Sequence, residues 1–191
     1  HRHMGQGLVS DVFSNSNVFD GLIGDSAIGH VRYSTTGDSD NKNVGPLTFN
    51  MGEHSLAIAH NGNLVNIDEI RKKLQKDGAL FQTSTDTELI IHLIARAKGV
   101  SLAEKVEVAL KKIQGAFSIL LLSPNEIIAV RDPYGIRPFC MGKLKDTIVF
   151  ASETCALDLL GAEYLRDVNP GELIVVNDEG FYSKQIQSLN T

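Results

Sequence analysis

The order in which the hydrophobic periodicity changes along the chain constrains the fold more than any other feature. Two short runs of β-type composition, residues 27–33 and 55–60, come first. Helical patterns follow over residues 66–77, 85–97 and 101–113, and strand-like runs then return at 116–122, 126–131, 137–141, 147–151, 173–177 and 181–186, with a short helix at 155–160. Because strands and helices do not alternate as βαβ units, we predict an α+β fold of mainly antiparallel sheets with helices packed outside them.

Each of the three helical patterns begins with a residue type that caps helices. An Asn, Thr or Ser followed three residues later by Glu is typical of a capping box. The pattern occurs at Asn66 and Glu69, at Thr85 and Glu88, and at Ser101 and Glu104. Gly78 supplies a stop signal for the first helix. The middle helix has the widest apolar stripe, so we predict that it is the most buried of the three.

Composition excludes several classes of protein. The chain has 191 residues, of which 42% are hydrophobic, and its net charge is −5, from 18 Lys and Arg against 23 Asp and Glu. This length and apolar content predict one folded domain over residues 1–191 and disfavour disorder. The acidic balance without a basic block disfavours nucleic-acid binding. The longest apolar run, residues 117–122, is far shorter than the ~20 residues of a membrane span, so no membrane partner is expected.

The two cysteines, Cys140 and Cys155, do not form a metal-binding pattern. They stand far apart, with no CxxC spacing and no neighbouring pair of histidines. We interpret them as two buried apolar residues of a protein from the reducing cytoplasm.

Polar clusters interrupt the apolar segments at residues 29–37, 59–64 and 84–88. In the first, alternation along a predicted strand places Ile28, His30 and Arg32 on one face. The guanidinium of Arg32 is suited to two parallel hydrogen bonds with a carboxylate. A solvated surface arginine is the favoured interpretation when this cluster is taken alone.

The second cluster has two interpretations of equal weight. Asn61-Gly62 is a strong hairpin-turn signal. Alternatively, the Asn61 side-chain amide and the Gly62 backbone N–H form an oxyanion hole, in which hydrogen-bond donors stabilise the negative oxygen of a tetrahedral intermediate.

Asp86, in the third cluster, lies in the first turn of the middle helix, where the helix dipole favours a carboxylate without any further role. The three clusters together, however, suggest a pocket for a zwitterionic amino acid with a reactive side-chain carbonyl. In that pocket Arg32 would bind the α-carboxylate and Asp86 the α-ammonium group.

Six ordered motifs resemble the glutaminase domain of class II glutamine amidotransferases. They are HVRYST at 30–35, AHNGNLVN at 59–66, TSTDTELI at 83–90, RDPYGIRP at 131–138, ASETCALD at 151–158 and VNPGEL at 168–173. Within that family, GQGLVSDVF at 5–13 and GAEYLRDVNPGEL at 161–173 resemble most closely the phosphoribosylpyrophosphate amidotransferases of purine synthesis. The resemblance covers essentially the whole chain. We interpret Arg131, Asp132 and Arg137 of the fourth motif as structural.

The resemblance implies the N-terminal-nucleophile hydrolase fold, a four-layer αββα sandwich, and L-glutamine as the substrate. It implies that Arg32 binds the α-carboxylate, that Asp86 binds the α-amino group and that Thr35 is a further substrate contact. Asn61 and Gly62 would form the oxyanion hole, while Tyr33 and His60 shape the pocket. In the family, a cysteine thiolate attacks the glutamine amide and the free α-amine of the same cysteine is the base.

The sequence departs from the family pattern at both ends. The family nucleophile is an N-terminal cysteine, whereas this sequence starts at His1, so we expect an incomplete domain that does not hydrolyse glutamine by itself. Neither Cys140 nor Cys155 has a free α-amine. The phosphoribosyltransferase domain, expected as an intramolecular partner, is absent from the sequence. The resemblance implies no cofactor for this domain, and Mg²⁺ and, in some members, an iron–sulfur cluster for the remainder of a tetrameric enzyme.

Two other functions stay open at this point. One is the glutaminase domain of an amidotransferase with another acceptor, such as glucosamine-6-phosphate synthase, asparagine synthetase or glutamate synthase. These enzymes share the Arg, Asn-Gly and Asp positions, but the GQGL and YLRDVNPGEL segments argue against them. The other is a glutamine-binding module without catalytic activity.

Overall fold

A computed structural model describes residues 1–32, 41–52 and 54–186. The helices are α1 (Val9–Val12), α2 (Asn17–Asp20), α3 (Ile67–Lys76), α4 (Asp86–Arg96), α5 (Leu102–Leu110) and α6 (Thr154–Leu160). The strands are β1 (Leu47–Met51), β2 (His54–Leu64), β3 (Gly115–Leu122), β4 (Glu126–Arg131), β5 (Cys140–Leu144), β6 (Thr147–Ala151), β7 (Glu163–Asp167), β8 (Glu172–Asn177) and β9 (Gly180–Gln185).

The strands form two antiparallel sheets. The larger has the order β1-β2-β3-β4-β8-β9, and the smaller has the order β6-β5-β7. The predicted antiparallel α+β class is therefore confirmed. The final hairpin, with its turn between Asn177 and Gly180, is also where the sequence placed it.

The two sheets and the helices form four layers. Helices α3, α4 and α5 pack on one face of the large sheet, where Ile90 and Ile94 lie fully buried against Ile58 and Ile119. The opposite face meets the small sheet through residues such as Ile174 and Met141. On the outer side of the small sheet, Leu157 of α6 lies against Gly142. Each fully buried Leu or Ile contributes about 1.5–3 kcal/mol of burial free energy, so apolar contacts hold the layers of the predicted αββα sandwich together.

Helix α4 is the most buried helix, as predicted: Leu89, Ile90 and Ile94 are fully inaccessible to solvent. Its N-terminus departs from the predicted capping box in one respect. The Thr85 hydroxyl accepts the Glu88 N–H at 3.4 Å, but the Glu88 carboxylate accepts the N–H groups of Gln82 and Thr83 at 2.8 and 2.7 Å. Glu88 therefore fixes the loop that precedes Asp86. In α5, by contrast, the box of Ser101 and Glu104 is fully formed.

The predicted cap of α3 is wrong. The Asn66 side chain does not bond to its own helix; its Oδ1 accepts the Gln114 N–H at 2.9 Å and its Nδ2 donates to the Lys112 carbonyl at 3.0 Å. Asn66 instead ties the start of α3 to the loop before β3. The helix does end before Gly78, which has the left-handed φ of +81° expected of a glycine stop.

One predicted strand is wrong, and two observed strands were not predicted. Residues 27–32 belong to no strand, although no described strand pairs with residues 59–64 of β2 on the side away from β3. Strand β1 has only five residues, two of them exposed and polar, which gives a weak apolar signal. Strand β7 lies at an edge, where most side chains face solvent and apolar alternation is not needed.

The turn after β4 is anchored by a buried carboxylate. Asp132 is 0% exposed and accepts the backbone N–H groups of Phe117, Tyr134 and Ile136. The preceding guanidinium, that of Arg131, donates to the carbonyls of Gly135, Arg137 and Val168 at 3.0, 2.8 and 2.7 Å. The structural interpretation is confirmed for Arg131 and Asp132, whose partners are backbone groups. Arg137 is exposed and contributes its carbonyl.

The cysteines differ in their surroundings. Cys140 on β5 is buried as predicted, but Cys155 is exposed, because the first turn of α6 faces solvent. Within the described ranges, no helix is long and apolar enough to cross a membrane.

Candidate active site

Asn61 and Gly62 lie inside strand β2 and do not form a turn. Asn61 is opposite Ser118 of β3, Gly62 is opposite Phe117, and β2 continues to Leu64. The hairpin interpretation of this dipeptide is therefore wrong.

The direction of the Gly62 backbone follows from the hydrogen bonds of Phe117. The Phe117 carbonyl accepts the Asp132 N–H at 2.8 Å and its N–H donates to Asp132 Oδ2 at 3.3 Å, so both groups point toward β4. Gly62 and Phe117 thus form a non-hydrogen-bonded pair, in which the N–H of Gly62 points away from β3. On that side β1 pairs only with residues 54–58. The Gly62 N–H consequently points into an edge that no described strand covers, hereafter the free edge of β2 (residues 59–64).

Close packing explains why position 62 is a glycine. A Cβ atom there would lie 2.7 Å from the Phe117 Cα and 2.8 Å from the His60 Nε2, and it would overlap the Ala116 carbonyl oxygen. Two of these three atoms belong to the β3 backbone, which cannot move without breaking the sheet.

Gly62→Ala is therefore expected to lower the free energy of unfolding by about 1–3 kcal/mol, the usual cost of overpacking. Urea titration followed by circular dichroism measures this. Gly29→Ala is the matched control, because a Cβ at Gly29 meets nothing within 4 Å. Equal unfolding midpoints for the two variants would contradict the packing argument.

The two faces of β2 serve different sides of the site. Ile58 and Leu64 belong to the core beneath the helices, and His60, in the same alternation, faces α4. Asn61 lies on the opposite face and lines a cavity of about 960 Å³. There its Nδ2 donates to the Ser152 Oγ at 3.3 Å.

Asp86, the first residue of α4, reaches the free edge of β2 from the helix side. Its Oδ1 is 3.3 Å from the His60 Nδ1, and its side chain is 18% exposed. Burial would raise the pKa of the Asp86 carboxyl, but the hydrogen bond and charge of His60, with the backbone N–H groups of Asp86 and Leu64, outweigh burial and lower that pKa below its usual value. The Leu64 N–H points in the same direction as that of Gly62, two residues earlier. Asp86 and the Gly62 N–H therefore share one edge.

Arg32 and His30 come from the segment that borders the cavity. Both line it together with His60 and Asn61, and Arg32 is exposed. Burial lowers the pKa of His30, and the nearby His60 and Arg32 lower it further.

The structure brings most of the predicted site residues together. Arg32, His60 and Asn61 line one cavity, while Asp86 contacts His60 and shares the free edge of β2 with Gly62. Tyr33 and Thr35 lie outside the described residues. Two neighbours were not predicted as site residues: His30, and Ser152, which comes from the distant end of β6. No local pattern distinguishes Ser152 from any serine that follows a strand.

Comparison with known proteins identifies the family. The family model for the glutamine amidotransferase domain matches residues 30–159, which include Arg32, His60, Asn61, Gly62 and Asp86. The chain belongs to this family. The domain is thus the kind that the six motifs indicated.

The relatives of the domain are much longer than the chain. It is 45% identical over 184 residues to an amidophosphoribosyltransferase of Bacillus subtilis, covering 96% of the chain and 38% of that protein. It is 51% identical over 174 residues to the chloroplastic amidophosphoribosyltransferase 3 of Arabidopsis thaliana, covering 91% of the chain and 32% of that protein.

A solved structure confirms the fold. Glutamine phosphoribosylpyrophosphate amidotransferase from B. subtilis, complexed with ADP and GMP, superimposes with a TM-score of 0.91 at 44% identity, over 97% of the chain and 40% of that protein. The four-layer sandwich is therefore the N-terminal-nucleophile hydrolase type of glutaminase domain. The chain spans about two fifths or less of the length of each of these relatives.

Proposed function

We propose that the domain binds L-glutamine at the free edge of β2 and that the complete gene product releases ammonia from it there. The observation that carries this proposal is the outward N–H of Gly62, which no strand of the described residues pairs, next to the Asn61 amide. A developing oxyanion is stabilised by two preorganised donors, and we propose that this pair supplies them. Asn61 Nδ2 has two hydrogens, so its bond to Ser152 leaves one for the oxyanion.

The charged groups around these donors match a free amino acid. Arg32 at the cavity binds the α-carboxylate, and Asp86 binds the α-ammonium group. The lowered pKa of Asp86 keeps its carboxylate charged well into mildly acidic solution. Thr35 is a further substrate contact, and Tyr33 and His60 shape the pocket.

The reaction follows the order of nucleophilic amide hydrolysis. A cysteine thiolate attacks the side-chain amide carbon of glutamine, and the oxyanion forms against Asn61 and Gly62. The C–N bond then breaks, ammonia leaves with a proton from the base, and water hydrolyses the thioester to glutamate. Cys140 is not this nucleophile, because it lies in β5, the central strand of the small sheet. Burial and the charge of Asp167 also raise the pKa of its thiol. We propose that the nucleophile lies outside the 191 residues.

For the whole protein we propose transfer of this ammonia to phosphoribosylpyrophosphate, in the cytoplasm. The support is that the relatives are amidophosphoribosyltransferases. A phosphoribosyltransferase domain, its Mg²⁺ and a homotetrameric assembly belong to this proposal, and this domain itself needs no cofactor. Phosphoribosylamine formation by the complete gene product, compared with amination of fructose 6-phosphate or aspartate, tests the choice of acceptor.

Arg32→Ala tests the binding part of the proposal. We expect the KM for glutamine to rise roughly tenfold with a smaller change in kcat, because a charged hydrogen bond is lost from substrate and transition state alike. Ammonia release by the complete gene product is the measurement. Arg96→Ala, an exposed arginine at the far end of α4, is the control. An unchanged KM for Arg32→Ala removes the assigned role.

A further inference from the structure

The two ring nitrogens of His60 have very different surroundings. Nδ1 lies 3.3 Å from the Asp86 Oδ1. Nε2 is buried and has no hydrogen-bond partner among the described residues, and a Cβ atom at position 62 would lie 2.8 Å from it. The His60 side chain is only 1% exposed.

This asymmetry determines which nitrogen donates. A carboxylate accepts hydrogen bonds, so the proton that Asp86 needs is on Nδ1. A proton on Nε2 would leave a buried N–H without an acceptor, which is costly, whereas a bare lone pair there costs less. The ring therefore acts as a directed donor toward Asp86.

Other contacts fix the backbone that precedes Asp86. The loop before it is held by Arg71, which donates to the carbonyls of Thr83 and Thr85, and by the Glu88 carboxylate. With the backbone fixed, the remaining freedom is rotation of the Asp86 side chain, and His60 opposes that rotation.

We propose that His60 is a positioning residue, which holds Asp86 at the free edge of β2 so that its carboxylate selects substrates with an α-ammonium group. The inference rests on the proposed function. It assigns His60 a role through Asp86, beyond shaping the pocket. His60 itself does not touch the reacting amide.

The specificity consequence separates this role from general support of the fold. 4-Carbamoylbutanoate is glutamine without its α-amino group, so it keeps the amide and the carboxylate but cannot use Asp86. A misplaced Asp86 weakens binding of glutamine and leaves this analogue unaffected. Loss of packing around His60 weakens both ligands by the same factor.

The experiment uses two isosteric variants in the complete gene product. In His60→Asn, the amide nitrogen takes the place of Nδ1 and still donates to Asp86; in His60→Gln, it takes the place of Nε2 and does not. We expect His60→Gln to raise the KM for L-glutamine about tenfold, the value of one charged hydrogen bond. The inhibition constant of 4-carbamoylbutanoate should stay within about twofold. His60→Asn should restore most of the affinity for glutamine.

A pH series adds a second readout. His60 lowers the pKa of Asp86, so His60→Gln should raise that pKa. Because binding needs the carboxylate form, glutamine affinity should then be lost at a higher pH on acidification than in the unchanged protein. The charged groups that face Asp86, its loop or His60 are Arg71 on α3, Glu88 on α4, and His30 and Arg32 in segment 28–32. His30→Gln is therefore carried through the same series, and its acid limb should not move upward.

The outcomes are distinguishable. If the unchanged protein does not release ammonia from glutamine, the proposed function fails. If it does, two results would overturn the positioning role. One is that His60→Gln weakens the binding of glutamine and of 4-carbamoylbutanoate equally, and the other is that His60→Asn and His60→Gln behave alike. If His60→Gln does not fold, the affinity ratio of the two ligands in His60→Asn, compared with the unchanged protein, decides: an unaltered ratio supports the role and a collapsed ratio overturns it.

Discussion

Replacement of Asn61 by alanine is expected to lower kcat for ammonia release by about 10²–10³, with little change in the KM for glutamine. The amide of Asn61 gains its full value only when the amide oxygen of the substrate becomes negative, so its loss acts on the transition state and spares the ground state. Steady-state ammonia release by the complete gene product measures both constants.

Asn63→Ala is the matched control for this prediction. Asn63 is the same residue type, two positions further along the same face of β2, and it is exposed. We expect its kcat to stay within about twofold, the ordinary effect of a surface change. Ser152→Ala should fall between the two, because Ser152 orients the amide without touching the substrate. Activity that survives Asn61→Ala would remove the oxyanion hole from the proposed function.

Replacement of Asp132 by alanine is expected to lower the free energy of unfolding by about 3 kcal/mol or more. The substitution removes a fully buried carboxylate and leaves the N–H groups of Phe117, Tyr134 and Ile136 without their acceptor. Each buried donor without a partner costs about 1–3 kcal/mol. Urea titration of the 191-residue chain measures the loss.

Two variants frame that measurement. Asp158→Ala removes an exposed aspartate of α6 and should change stability by less than about 0.5 kcal/mol. Asp132→Asn keeps one acceptor oxygen and should lie between the two alanine variants. A stability of Asp132→Ala equal to that of Asp158→Ala would mean that the turn is held by the Arg131 contacts alone.

Local signals along the chain were sufficient for the helices and for the fold class. Thr85 and Ser101 cap their helices because the backbone N–H group that each side chain accepts is only three residues away. The apolar stripe of α4 predicted its burial because burial of one face stabilises a helix wherever that face finds a core. The order of the elements likewise excluded a parallel sheet.

Several residues do not adopt the conformation that their local sequence predicts, because a distant segment provides a more stable contact. Asn66 has the pattern of a cap, yet its amide bonds to the loop at 112–114. The Asn61-Gly62 dipeptide has the pattern of a turn, yet it pairs along β3. In each case the local conformation was worth about 1 kcal/mol, and the tertiary contact that replaced it was part of a cooperative sheet or interface.

Part of the candidate site can likewise be predicted from the sequence, and part depends on the tertiary structure. The sequence predicts the chemical roles of Arg32, Asn61 and Asp86, because a guanidinium, an amide and a carboxylate have fixed hydrogen-bonding capacities. Three features of the site depend on the register between β2 and β3 and on where β1 ends. They are the meeting of these residues at one strand edge, the outward direction of the Gly62 N–H, and the positions of Ser152 and His60 beside them. Register is settled by burial of whole faces, so it emerged only when the sheets and helices packed together.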